Sequence, residues 1–255
     1  MDFIISAVTD IGIKKTTNQD SFNVRIFDTP MGKVVFAVLC DGMGGLSKGE
    51  VASATVVNAF CKWADQRLAA LCSTGIQDAD IRKEWQSIVE TYNAKIKAYA
   101  HSCSTNMGTT VTAMLITPYR YYIANVGDTR AYEINDAIRI LTKDQTVVAR
   151  EIEYGHLTPE EAEKDPRRSV LLQCIGASDE VAADFFFGDT KLNCVYMLCT
   201  DGFRHEITAD EIHQSLHPDR MLEMDGMKKN MEELVSLNKQ RLEQDNISVI
   251  AIRTF

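Results

Sequence analysis

The 255-residue chain holds no stretch rich in proline, glycine or serine, no block of like charge and no repeat at a fixed period, which excludes a linker, a low-complexity tail and a solenoid. It has no apolar run long enough to cross a bilayer, and its start, MDFIISAVTDIG, has no basic segment ahead of an apolar one. Neither a membrane span nor a secretory leader is expected, and the chain reads as cytoplasmic. No CxxC pair and no Cys/His cluster offers a zinc site. The seven cysteines are odd in number and scattered; Cys40, Cys174, Cys194 and Cys199 read as small core residues of a reducing compartment. Positive charge is short as well, 27 Lys and Arg against 36 Asp and Glu for a net charge of -9, which argues against nucleic acid or an anionic membrane as the main partner. An anionic ligand would have to be met by local cations or by metal ions. With nothing to divide it, the chain is read as one domain, 1–255, able to bury roughly three quarters of its unfolded surface, and as a monomer.

What is present is a set of apolar runs that end in acids. Val34 to Gly45, VVFAVLCDGMGG, is an apolar run followed by an acid and a glycine-rich turn. A short continuous apolar run bounded by turn residues is the pattern of a strand buried on both faces, here delivering Asp41 to the end of a sheet. Gly42, Gly44 and Gly45 would leave the backbone open to an ion or a phosphate, although an ordinary Asp-Gly turn explains this stretch taken alone. Repetition favours the site. VYMLCTDG carries Asp201, YYIANVGD carries Asp128, and QDNISVIAI places Asp245 at the opposite end of its strand, so that an antiparallel neighbour brings it to the same rim. Four carboxylates on one rim raise one another's pKa unless cations sit between them, and oxygen-only ligands select Mg²⁺ or Mn²⁺ over zinc or copper.

The segments TNQDS, CDGMGG, MGTT, NVGDTR, CTDG and QDN occur in this order from Thr17 to Asn246, and on them the chain resembles the protein phosphatase 2C family, DGMGG being similar to its bacterial branch. The resemblance implies a metal-dependent serine/threonine phosphatase of phosphoproteins, opposed to a Ser/Thr kinase pathway, that uses two Mn²⁺ or Mg²⁺ ions and a third. Asp41 would bridge the two ions; Asp201 and Asp245 would complete the first and the Gly42 carbonyl the second. Asp128 would hold the third ion and Asp20 would orient metal-bound water. Asp41, Asp201 and Asp245 are then the implied catalytic set, joined by Lys15, which stands where the family usually has an arginine for the substrate phosphate. Lysine offers a point charge there in place of a planar fork, while adjacent Lys14 is read as facing solvent. A water activated between the ions needs no protein nucleophile, so no phosphoenzyme is expected.

Other positions depart from the family pattern: Gln19 stands where Glu is common, Met43 where eukaryotic members often have His, and Gln145 and Asp165 where the flap usually shows His. His205, four residues after Asp201, is weighed as a proton donor against the simpler reading of a surface loop residue, which is preferred. His101, His156, His213 and His217 have no acidic or metal context in the sequence and are assigned nothing. Two rival functions stay open. A pseudophosphatase or phosphoprotein-binding regulator is favoured by Lys15 and Gln19 and opposed by the retained acids; a metal-dependent hydrolase of small phosphate esters would use the same rim.

Around these motifs, helices are expected over Glu50 to Ala70 and Asp78 to Ala100. In the second, Ile81, Trp85, Ile88, Tyr92, Ile96 and Tyr99 recur at spacings of three and four and form a core stripe. TTVTAMLI, RYYIANV, TRAYEI and RIL are separated by turns too short for parallel crossovers, so the strands are antiparallel. The span 143–176 resembles the family's flap, with a helix opened by the capping box Thr158 to Glu161; Arg167 and Arg168 within it read as exposed. A second capping box at Thr208 to Glu211, a helix over about Gly226 to Leu242 and a last strand from Asn246 to Arg253 complete the order. The result is an α+β fold, a four-layer αββα sandwich of two antiparallel sheets flanked by helices.

Overall fold

The computed structural model describes residues 1–43 and 48–255. The elements run β1 (Phe3–Asp10), β2 (Ser21–Thr29), β3 (Gly32–Cys40), β4 (Gly42–Met43), α1 (Gly49–Thr74), α2 (Asp78–Ser102), β5 (Gly108–Thr109), β6 (Val111–Ile116), β7 (Arg120–Val126), β8 (Arg130–Ile134), β9 (Ile138–Ile140), α3 (Val147–Glu153), α4 (Pro159–Lys164), β10 (Asp184–Asp189), β11 (Cys194–Cys199), α5 (Asp201–Arg204), α6 (Ala209–Leu216), α7 (Met224–Gln240) and β12 (Ile247–Thr254). One five-stranded sheet has the order β1-β12-β11-β8-β9 and a second the order β10-β7-β6-β3-β2, while β4 pairs with β5. All of these pairings are antiparallel.

The continuous apolar runs arise because the central strands are covered on both faces. In β3, Val35, Ala37 and Leu39 point into a core shared with Met114 and Ile123 of the same sheet and with Tyr196, Leu198, Ile250 and Ile252 of the other. Val34, Phe36, Val38 and Cys40 point the opposite way, against Phe60 and Trp63 of α1 and Ile81 and Trp85 of α2. β11 repeats the device: Val195, Met197 and Cys199 pack with Ile212 and Leu216 of α6 and Met227, Met231 and Leu234 of α7. With side chains alternating at a period of two, each strand fills two layers, and the expected αββα sandwich follows.

Some expectations need correction. α1 extends four residues beyond Ala70, to Thr74. The inward stripe of α2 is Ile81, Trp85, Val89, Asn93, Ile96 and Ala100, with Ile88 and Tyr92 packed at its edge. Tyr99 is not core: it is 45% exposed, and its ring lies under Lys48 with Nζ 5.3 Å from the centroid. Small Ala100 takes the inward place at the end of the helix. The polar Asn93 is buried there because both ends of its amide are used, accepting from the Gly176 N–H at 2.7 Å and donating to the Ser178 carbonyl at 3.1 Å, as a buried amide requires.

The span 143–176 carries α3 and α4, and both expected capping boxes form, at Thr158 with Glu161 and at Thr208 with Glu211. Thr109 and Ile175 exchange N–H···O bonds of 2.9 Å each way, tying the end of that span to β5 next to the Asp41 turn. Among the described residues no helix is long and apolar enough to cross a membrane. All seven cysteines are free, and Cys40, Cys174, Cys194 and Cys199 are buried as read, together with Cys72.

Candidate metal centre

Asp41 leaves β3 held by its backbone. Its N–H donates to Thr110 Oγ1 at 2.9 Å, and its carbonyl accepts from the Thr110 N–H and from Thr109 Oγ1, both at 2.9 Å. Thr110 Oγ1 in turn lies 2.8 Å from Thr129 Oγ1, so the MGTT and NVGDTR segments brace the same turn. Gly42 follows in a close approach of three backbones: a Cβ there would lie 2.3 Å from the Gly49 carbonyl oxygen and 2.5 Å from that of Gln19. Only glycine fits. Gly44 and Gly45 lie outside the described residues.

Asp20 immediately precedes β2, whose Ser21 pairs with Cys40 of β3, so it starts at the same strand end as Asp41. Its Oδ2 accepts from Ser248 Oγ at 2.6 Å and Thr200 Oγ1 at 3.2 Å, which ties it to the ends of β11 and β12. Because those strands run antiparallel, with Cys199 opposite Val249, Asp201 after one and Asp245 before the other come to the same end, as the sequence pattern required. Asn246 fastens the N-terminal loop to this end, accepting from the Gln19 N–H at 2.9 Å and donating to the Ile11 carbonyl at 2.9 Å. Gly202 is another position where no side chain fits, since its Cβ would lie 2.2 Å from the Asn246 carbonyl oxygen.

The electrostatics show that these acids share one field. Burial pushes Asp41 well above the usual carboxylate range, and the charges of Asp20, Asp201, Asp128 and Asp245 push it further. Asp20 is pushed up to about 7 by burial, against the hydrogen bond from Ser248 and with the charges of Asp201 and Asp245. Asp128, buried beside Asp201 and only partly relieved by Arg204, is likewise raised to about 7. Asp20 Oδ1 and Asp201 Oδ1 are buried with no hydrogen-bond partner among the described residues. Such oxygens are costly unless a partner is supplied, and an all-oxygen donor set fits a hard divalent cation. Among the described residues no three carboxylate, imidazole or thiolate side chains close on one point as a cage.

Lys15 lies at this rim with its Nζ 2.8 Å from Asp245 Oδ1, so a phosphate there would share it with that acid. Burial opposes its charge, yet the bond to Asp245 and the fields of Asp41 and Asp201 hold its pKa above the ordinary lysine value. Lys14 is exposed but not purely solvated, donating to Gln244 Oε1 at 2.9 Å. The Gln19 amide packs against the Gly49 backbone. Gln145 braces the Asp128 turn, accepting from the Gly127 N–H at 2.8 Å. Asp165 pairs with Arg167 at 2.8 Å.

His205 is not a surface residue. Its side chain is 14% exposed, with Nε2 3.5 Å from Asp201 Oδ2 and Nδ1 3.3 Å from Glu243 Oε2. Burial works against its proton, but the bond to Glu243 and the charge of Asp201 raise it above the ordinary histidine value. Glu243, Asp144 and Arg204 also stand at this end of the fold, and no sequence motif marks them. Asp144 joins Arg130 at 2.7 Å to Arg204 at 3.3 Å, and Arg204 also donates to the Asp128 carbonyl at 3.1 Å. The local signal for these is nil, since each partner is remote in the chain. His156 and His217 do have carboxylate neighbours, Glu151 at 3.0 Å and Asp219 at 3.5 Å, both away from the rim.

A double antiparallel sandwich with an all-oxygen acid rim at the strand ends defines the class of protein. The protein phosphatase 2C profile matches residues 13–238, and the chain belongs to that family. It is 31% identical over 219 residues to the serine/threonine phosphatase stp of Listeria innocua, covering 84% of this chain and 83% of that protein. The structure of the S. agalactiae serine/threonine phosphatase superposes with a TM-score of 0.86 at 28% identity, with 100% of both chains covered. The catalytic domain of serine threonine protein phosphatase PstP, in complex with 2 manganese ions, does so with a TM-score of 0.77 at 25% identity over 98% of this chain and 97% of that one.

Proposed function

We propose that the rim of Asp20, Asp41, Gly42, Asp128, Asp201 and Asp245 is the metal centre of this serine/threonine protein phosphatase, and that the substrates are phosphoserine and phosphothreonine in proteins. The carrying observation is the pair of buried oxygens without a partner among the described residues, Asp20 Oδ1 and Asp201 Oδ1, in a donor set made only of oxygen. The chain is divalent-metal-dependent in this reading, and the carboxylates of Asp41, Asp201, Asp245 and Asp128 together with the Gly42 carbonyl would hold the ions, Mn²⁺ or Mg²⁺. Bound there, the ions would lower the pKa of water and neutralise charge developing on the phosphoryl oxygens. The chain's own part is to hold those oxygens in place, with Asp20 Oδ1 accepting a proton-bearing group at the rim and Lys15 attracting the substrate phosphate. We further assign 1–255 to one catalytic domain with its flap at 143–176, a monomer acting in the cytoplasm against a Ser/Thr kinase.

The test is hydrolysis of phosphoserine, phosphothreonine and phosphotyrosine peptides and of a phosphodiester, with Mn²⁺, Mg²⁺ or chelator. Release of phosphate from the first two peptides, abolished by chelator, is expected. Faster turnover of the diester, or turnover that survives chelation, would overturn the assignment.

Lys15→Ala is expected to lower kcat/KM through KM. A charge-assisted bond to a phosphate is worth about 1.5–3 kcal/mol, but the side chain is 39% exposed and shared with Asp245, so the lower end applies, about tenfold. Lys15→Arg should keep or improve kcat/KM, with Lys14→Ala as the control. Equal, small effects of the two alanine variants would remove Lys15 from phosphate binding.

A further inference from the structure

Below the rim, the chain leaves α7 through Leu242, a non-glycine residue at φ 70. The left-handed region disfavours a residue with a Cβ, and such a conformation is kept where the surroundings require it. Its effect here is to turn the next residue, Glu243, back under the fold, where only 6% of it is exposed. The two carboxylate oxygens of Glu243 then do different things. Oε1 accepts the backbone N–H groups of Gln244 at 2.7 Å and of Asp245 at 2.8 Å. Oε2 faces His205 Nδ1 at 3.3 Å, and the other ring nitrogen faces Asp201 Oδ2 at 3.5 Å. One carboxylate therefore grips the backbone that carries Asp245 and, through an imidazole, the side chain of Asp201.

We propose that Glu243 and His205 are positioning residues, a bracket that fixes the Asp201 carboxylate relative to Asp245 so that the two present a single divalent-cation position. The inference rests on the assignment of these two acids as ligands. It accounts for the division of Asp201, whose Oδ2 is faced by His205 while Oδ1 is buried and unpartnered among the described residues: the imidazole holds one oxygen and leaves the other for the ion. Groups that orient metal ligands in this way typically change metal affinity about 10–100-fold when removed. His205 touches neither substrate nor ion in this arrangement, so its loss acts on metal affinity before it acts on turnover.

The experiment titrates Mn²⁺ into the full chain by calorimetry, with the free-Mn²⁺ electron paramagnetic resonance signal as an independent count. His205→Ala and Glu243→Ala should each weaken the tighter Mn²⁺ event about 10–100-fold, while kcat at saturating Mn²⁺ stays near wild type. The double variant should be no weaker than the worse single one, because the two residues act as a unit. Glu243→Gln, which keeps an oxygen for the two amides but loses the charge beside the imidazole, should fall between. It also serves if an alanine variant fails to fold, melting in chelator being the check. Unchanged Mn²⁺ affinity in folded Glu243→Gln and His205→Ala, or additive losses in the double variant, overturns the bracket. Asp201→Asn separates the two layers of the argument. Binding lost there but intact in the His205 and Glu243 variants overturns the bracket alone, whereas a wild-type chain that binds no Mn²⁺ overturns the ligand assignment and the bracket with it.

Discussion

Asp41→Asn is expected to cut turnover of a phosphoserine peptide by more than about a hundredfold at saturating Mn²⁺, because partners one shell further out already cost about 10–100-fold when lost. Asp201→Asn should do the same. Neither change should harm the fold. The backbone of Asp41 is held by Thr109 and Thr110 whatever its side chain, and an amide fills the same space as a carboxylate. The variant should in fact melt higher than wild type in chelator. A buried acid whose folded pKa is raised contributes stability only at low pH, and loses it as pH rises from the unfolded value of about 3.9 through the folded one. Asp20 and Asp128 are raised to about 7 and Asp41 well above its usual range. Metal-free wild type should therefore weaken between about pH 4 and 7, and Asp41→Asn should remove part of the loss that the raised acids cause. Retention of more than a tenth of wild-type turnover would refute Asp41 as a metal ligand, and a lower chelator-treated Tm at pH 8 would refute the charge strain among the rim acids.

The largest effect on stability is expected at Trp85. This fully buried ring on α2 meets Phe36 of β3 at 6.0 Å and Phe60 and Trp63 of α1 at 5.9 and 5.2 Å, all edge-on. It thus joins α1 and α2, the two helices of one outer layer, to the sheet they cover. Trp85→Ala should cost about 3–5 kcal/mol in denaturant unfolding, as large aromatic truncations do. Trp85→Phe should cost distinctly less. Trp85 Nε1 is buried without a hydrogen-bond partner among the described residues, and a buried orphan donor itself costs about 1–3 kcal/mol, which the phenyl ring removes while leaving most of the contact. Trp63 is the contrast, its Nε1 donating to Glu84 Oε2 at 2.5 Å. If Trp85→Phe were as damaging as Trp85→Ala, the packing of the indole rather than its orphan N–H would dominate.

The sequence alone carried everything set by local pattern. Runs apolar at both parities marked strands covered on two faces, acids at their ends marked a rim, and Thr158 and Thr208 three residues before a glutamate marked helix starts that the structure forms. Where the pattern was nearly periodic but the partner was distant, it misled: Tyr99 has the spacing of a core residue and lies outside, because which residues of a helix turn inward is decided by the sheet it packs on. The same limit applies at the rim. Asp20 finds Ser248 228 positions away, Gln19 finds Asn246 227 away, and Lys15 reaches Asp245, since the strand order β1-β12-β11-β8-β9 sets the chain's two ends side by side. His205 looked like a loop histidine for want of any local mark of Glu243. Spacing in a sequence encodes periodicity, turns and caps, which depend on neighbours a few residues off. Hydrogen-bond partners and the field among buried charges depend on distances in space, and those exist only once the two sheets have closed on each other.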